Sequence, residues 1–319
     1  LLAFVPRRKL GFSLFMKTFS DRKIFVKYSL GLCVLVCFLL LSCQPKSHDH
    51  ILRVSVTNWI GYMPLFYAKE KGLLEDINVK LINAVSLSEN MYLYKAGNSD
   101  AFGGTQYEHS ILKAHIPTLV PIMLFDRSNG GDMVMSNQTI SALQNSDGQI
   151  DTYLEMDSIN LIILNDFIQK FNIDETRINY IDKDQSEISS LQNTNPNQAV
   201  LIVTYIPNDI ELRSSGFQEL ISTKSGLDLL VLGAVFARQE ELIEHKQQFI
   251  ELKAIVDEAI LSLEANPKEF HETIKPYFTE LSYEDFQKQI NDIVWVNKDI
   301  DPKLRLRLQE ASFSVKDLL

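Results

Sequence analysis

The chain has 319 residues, 45% of them hydrophobic and 23% charged, with a formal net charge of −10. An acidic balance opposes binding to nucleic acid or to anionic lipid. The length from residue 43 onward, 277 residues, is enough for two lobes that each bury a core.

The amino terminus has the pattern of an export signal. Lys17, Arg22, Lys23 and Lys27 form a basic region, and Tyr28 to Leu41 is then almost wholly apolar. The run is short for a spanning helix. Leu40-Leu41-Ser42-Cys43 follows it, as in a lipobox, so residues 1–42 are expected to leave as upstream extension and signal peptide, with Met16 a plausible start. Cys43 is then the lipidation site, holding the protein to a membrane without spanning it. Cys33 and Cys37 leave with the signal, so no disulfide and no cysteine metal site is expected. Residues 1–42 carry seven Lys/Arg against one Asp, which leaves the remainder near −16.

Residues 43–50 form a polar tether, in which His48 and His50 flank Asp49 as part of a spacer. Alternation begins at once beyond it. Leu52 to Thr57 predicts a strand and Tyr62 to Lys71 a helix, with Pro64 in its first turn and Gly72 at its left-handed end. The loop between them, Asn58-Trp59-Ile60-Gly61, carries a large aromatic at the place where open α/β folds hold ligands. Ile77 to Ile82 predicts the next strand, Ser88 to Ala96 a helix closed by Gly97, and Asp100 to Gly103 a short strand. Gln106 to Ala114 predicts a helix, and Leu119 to Phe125 and Met133 to Met135 strands.

From Asn137 a second lobe is expected. Gln149 to Leu154 reads as extended, Ser158 as the cap of a helix over Ile159 to Phe171, and Arg177 to Ile181 and Ala199 to Thr204 as strands. Leu229 to Phe236 brings the chain back to the first lobe. Glu240 to Ala265 predicts one long amphipathic helix, and Pro267, Pro276 and Pro302 punctuate shorter ones. The pattern gives an α/β fold of mixed, mostly parallel sheets flanked by helices. The lobes are 51–136 plus 232–319, and 137–231.

Four blocks carry a family resemblance. They are Trp59-Ile60-Gly61-Tyr62-Met63-Pro64-Leu65 with Lys69-Glu70-Lys71-Gly72-Leu73; Lys95-Ala96-Gly97-Asn98-Ser99-Asp100-Ala101; Asp126-Arg127-Ser128-Asn129-Gly130-Gly131-Asp132; and Val203-Thr204-Tyr205-Ile206-Pro207. Together the chain resembles the periplasmic solute-binding proteins of nitrate, sulfonate, taurine and pyrimidine-precursor ABC importers. The resemblance implies a two-lobed type 2 periplasmic-binding fold that closes on a small solute, a permease and its ATPase as partners, a monomer, and no cofactor or metal.

Carried over position by position, the resemblance implies a ligand site of eleven residues. Trp59 would stack on the solute and Tyr62 would offer its hydroxyl. Gly104 and Thr105 would let the solute approach the backbone. Ser128, Asn129 and Gly130 would present hydroxyl, amide and backbone donors in a tight turn, flanked by Asp126 and Asp132. Across the cleft Glu155, Ser158 and Tyr205 would face them. Arg127 points outward in this reading, and Glu108 and His109 face solvent. The loops hold more acids than bases, which favours a nitrogen-containing solute. Enzymes use the same fold, but the sequence shows no Ser-His-Asp set in suggestive loops, no phosphate loop and no HExxH helix; a module that reports a solute to a membrane receptor is the alternative that the sequence does not separate from import.

Overall fold

Apolar, β-branched segments separated by capped helices build two sheets in the computed structural model, which describes residues 50–227, 229–297, 300–310 and 313–319. The signal segment, Cys43 and the tether up to Asp49 lie outside the described residues. Among the described residues no helix is long and apolar enough to cross a membrane.

The strands are Leu52–Val56 (β1), Val79–Asn83 (β2), Ala101–Gly104 (β3), Leu119–Ser128 (β4), Asp132–Ser136 (β5), Ile150–Leu154 (β6), Ile178–Asp182 (β7), Ala199–Tyr205 (β8), Gln218–Ser222 (β9), Leu232–Arg238 (β10) and Ile293–Trp295 (β11). The helices of the first half are Met63–Glu70 (α1), Leu73–Asp76 (α2), Leu87–Lys95 (α3), Gln106–Lys113 (α4), Ile140–Asn145 (α5) and Ile159–Phe171 (α6). Gln185–Ser189 (α7), Asp209–Ser214 (α8), Gln239–Glu244 (α9), Lys246–Ala265 (α10), Pro267–Ile274 (α11), Tyr283–Gln289 (α12) and Pro302–Glu310 (α13) follow.

The first sheet has the order β11-β4-β10-β3-β1-β2 and the second β7-β6-β8-β5-β9. Both sheets are mixed, as expected, with a smaller parallel share than the alternation suggests. Only β2-β1-β3 and β7-β6-β8 run parallel; β10 and β11 run antiparallel to β4, β10 to β3, and β5 to β8 and β9. The cause is the way the chain changes sheets. Strand β4 leaves the first sheet and β5 joins the second after a link of Asn129, Gly130 and Gly131, with no crossover helix to reset direction. The first passage therefore lies at 129–131, ahead of the boundary expected after Ser136. The return lies between Ser222 and Leu232, and β10 inserts between β3 and β4. Each sheet with its helices is called a lobe below.

Local signals hold the elements that border the cleft. Pro64 sits in the first turn of α1, and Gly72 adopts φ +75°, a value costly for any residue with a Cβ. Ser86, Thr105 and Ser158 cap α3, α4 and α6 by accepting from the backbone N–H of Glu89, Tyr107 and Asn160. The long carboxyl-terminal helix breaks at His245 into α9 and α10, because the apolar stripe starts only at Phe249: α9 buries no residue. The break lets Gln248 turn inward, where its amide donates to the carbonyls of His50, Ile77 and Asn78. Tyr67 stacks on Phe270, and Phe66 meets Phe278 edge-on, so α1 is clamped by α11 and the segment after it.

Candidate functional site

A narrow, nearly closed cleft with about 20 Å3 of free cavity volume lies where the two sheets meet, and both contribute to its wall. The loop after β1 supplies Thr57, Trp59 and Tyr62, and β3 with the cap of α4 supplies Gly104 and Thr105. Strands β4 and β10 supply Asp126 and Gly233. The second lobe supplies Asp132, Ile159 and Tyr205. Tyr205 meets the Trp59 ring edge-on, with ring centroids 5.9 Å apart.

Asp126 is the most constrained of these groups. A register shift opposite Gly233 and Ala234 puts a bulge in β4, the kind of irregularity that re-aims a side chain. The carboxylate is fully buried and accepts the Trp59 indole N–H, with Nε1 3.0 Å from Oδ1 and 3.1 Å from Oδ2. Gly61 and Gly233 press against it so closely that a Cβ at either would overlap the carboxylate. Burial pushes its pKa up to about 7; the Trp59 hydrogen bond opposes this and Asp132 adds to it. Asp132 is pushed up to about 7 as well, by burial first, against the Ser128 hydroxyl. Its Oδ2 has no hydrogen-bond partner.

Two more carboxylates stand behind the wall. Glu155 is 1% exposed, accepts the Leu87 N–H at 3.0 Å, and has its pKa raised to about 8 by burial, with that hydrogen bond opposing. Glu108 is 0% exposed and accepts from Thr105 N at 2.7 Å, from the Thr105 hydroxyl and from Ile159 N at 2.8 Å. Burial raises its pKa against those bonds. No Lys, Arg or His is among the described residues that line the cavity.

No family model matches the sequence, and no curated protein does either. Solved structures do. The chain is similar to the alkanesulfonate-binding protein SsuA from Xanthomonas axonopodis pv. citri bound to MOPS, with TM-score 0.67, 12% identity, and 83% of this chain and 92% of that one covered. It is also similar to the ligand-binding component of an ABC-type import system from Staphylococcus aureus with zinc bound, with TM-score 0.66, 12% identity, and 82% and 91% covered. A Candida albicans protein described as exhibiting the generic periplasmic binding protein structural fold matches with TM-score 0.62, 11% identity, and 84% and 92% covered. The chain has the periplasmic-binding-protein fold.

Within that periplasmic-binding-protein fold, the residues singled out from sequence fall into three groups. Trp59, Tyr62, Gly104, Thr105, Asp132 and Tyr205 line the cavity together. The Tyr62 hydroxyl is already committed, donating toward the carbonyls of Gly104 at 3.1 Å and Ala234 at 3.2 Å, so it presents its ring. Glu155 and Ser158 stand just behind the wall, where Ser158 caps the helix that carries Ile159. Ser128, Asn129 and Gly130 do not line the cavity. The Ser128 hydroxyl pairs with that of Thr223 at 2.7 Å, Asn129 N donates to Asp292 O, and Gly130 N donates to Thr223 Oγ1, so this turn braces the link between lobes. Arg127 lines a separate depression with Val294 and Leu304.

Two expectations fail. Glu108 is buried at the lobe junction instead of facing solvent. His109 is buried against Phe236, ring centroids 4.8 Å apart, and burial lowers its pKa to about 4. Glu108 is drawn inward by the donors of Thr105 and Ile159, and His109 by the rings of Phe236 and Phe313. Sequence reasoning left out Thr57; Asp126, expected as a flank of the turn, lines the cavity itself. Asp126 had a signal: a lone acid closing the apolar run Leu119 to Phe125.

Proposed function

We propose that the protein is the solute-binding component of an ABC importer. It captures a small nitrogen-containing organic solute by closure of its lobes and delivers it to a membrane permease and its ATPase. The observation that carries this reading is the cavity between the lobes, walled by Trp59, Tyr62 and Tyr205 and edged by Asp126 and Asp132. A solute touching both lobes stabilises the closed arrangement over an open one, the differential affinity that closure requires. Import components of similar fold support the transport role, and the lipobox supports export with attachment through Cys43.

The sulfonates bound by structural neighbours do not transfer at 12% identity. The acids at the cavity favour a solute that donates N–H groups instead. Mass spectrometry of the solute that copurifies with the protein, followed by calorimetry with that compound, tests the reading. One small organic solute bound per chain, unchanged by the protein and raising the Tm, is the expected result. Turnover of the solute would replace this reading with an enzymatic one.

A further inference from the structure

The two helix N-termini that meet at the lobe junction are both occupied by carboxylates of the chain itself, and the exchange is reciprocal. Glu155 of the second lobe receives the first-turn N–H of Leu87 in α3 of the first lobe, at 3.0 Å. Glu108 of the first lobe receives the first-turn N–H of Ile159 in α6 of the second, at 2.8 Å. First-turn amides are where a fold of helices and sheets would receive an anion. Here the buried side chains hold those donors, so these two helix ends are not offered to a solute.

In front of them, Asp126 and Asp132 edge the cavity, and Asp132 Oδ2 and Glu155 Oε1 are buried without a hydrogen-bond partner. Two acids with unmet acceptor capacity and no lining cation form a site whose deficit is positive charge and N–H donors. The faces of Trp59, Tyr62 and Tyr205 complete the wall, and aromatic faces attract cations. An anion entering the same space would meet four carboxyl groups, with the Leu87 and Ile159 amides already held by Glu155 and Glu108.

We infer that the solute is an organic cation, a primary ammonium or amidinium on a small apolar or aromatic body, held by Asp126 and Asp132, and that Glu108 and Glu155 exclude anionic solutes. This narrows the solute-binding reading above and rests on it. An ammonium offers three donors and no acceptor, which fits a wall of acceptors. An amidinium offers paired donors that match one carboxylate.

The test uses the purified full chain and probes of matched body and different charge: benzylamine and benzamidine as cations, benzyl alcohol as the neutral, and benzoate and benzenesulfonate as anions. Calorimetry and Tm shifts are read for each, and native mass spectrometry identifies any copurifying solute. Binding of at least one cation, none of the anions, and a tenfold or greater loss of cation affinity in Asp132→Asn is expected. A copurifying solute that is itself a cation supports the inference without any variant, should Asp132→Asn fail to fold. A neutral or anionic probe or copurifying solute that binds while cations do not overturns the inference and leaves the solute-binding reading intact. Cation affinity unchanged in a folded Asp132→Asn also overturns it. No binding by any probe and no copurifying solute removes both.

Discussion

Trp59 and Asp126 act as one unit, and substitutions at Trp59 separate its two contributions. The ring is only 8% exposed, packs against Gly131 and meets Tyr205, so it belongs to the core as much as to the cavity. Trp59→Ala is expected to cost about 3–5 kcal/mol in denaturant unfolding, the usual range for removing a buried large aromatic. It should also weaken solute binding. Trp59→Phe keeps most of the ring and removes the donor, leaving a buried carboxylate unsatisfied. Its expected cost is about 1–3 kcal/mol at pH 8. The cost should shrink at pH 5.5, where Asp126, with its pKa pushed up to about 7, is already protonated in the folded protein. Equal costs at the two pH values would show that the indole N–H does not serve the charged form. Trp59 was legible in the sequence because a lone tryptophan in a strand-to-helix loop has few other uses. Glu108 was only half legible: Thr105 followed three residues later by Glu108 is a capping box. Nothing local reveals that the other oxygen of the same carboxylate reaches Ile159, 51 residues away.

The elements bordering the cleft are held by their ends. Nine of the eleven strands among the described residues and the longer helices were readable to within a few residues, since caps and apolar periodicity are local properties; the short strands β9 and β11 and the short helices α5, α7 and α8 were not. The antiparallel return was not, because β10 pairs with strands more than a hundred residues earlier in the chain, and alternation alone cannot show where a strand inserts. The passage at 129–131 was displaced for a similar reason: Ser128, Asn129 and Gly130 form a polar turn that looks like a ligand loop, but Thr223 and Asp292 take up its hydrogen bonds. The reciprocal carboxylates are the element-scale feature that a mutation can isolate. Glu108→Ala removes the acceptor for two backbone N–H groups and a hydroxyl and should cost about 2 kcal/mol. Glu155→Ala removes one junction bond to α3 and should cost less, about 1 kcal/mol. Both should shift the solute-free protein toward open forms, read as a larger radius of gyration in X-ray scattering. A stability loss with no change in scattering would mean that the bonds stabilise their helices without holding the lobes together.

At the scale of the molecule, the buried acids tie stability and binding to pH in opposite directions. Asp126 and Asp132 have pKa values pushed up to about 7, and Glu155 to about 8, all chiefly by burial. The groups that bear on them are one another, Glu108, Asp184 and the hydroxyls of Ser128, Tyr62 and Tyr205. None of these is a cation. Between the ordinary carboxyl range and these raised values the folded state binds more protons than the unfolded chain, so stability falls as pH rises. His109 works the other way below pH 6.5, since it is buried with its pKa lowered to about 4 and the unfolded chain takes up its proton first. The window to read is therefore pH 6.5 to 8, where His109 is neutral in the folded state and loses most of its remaining charge in the unfolded chain while the carboxyls ionise. The Tm of the solute-free protein is expected to fall across that window, and Asp132→Asn should flatten the fall. A bound cation reverses the balance, because it stabilises the ionised carboxylates and brings their pKa values down. Affinity for a cationic probe should then rise over the same interval, with protons released on binding. Calorimetry at pH 7 in buffers of different ionisation enthalpy counts those protons directly. A Tm that rises from pH 6.5 to 8, or cation binding without proton release, would mean that the carboxylates at the cavity are already ionised and matched by charge from another source.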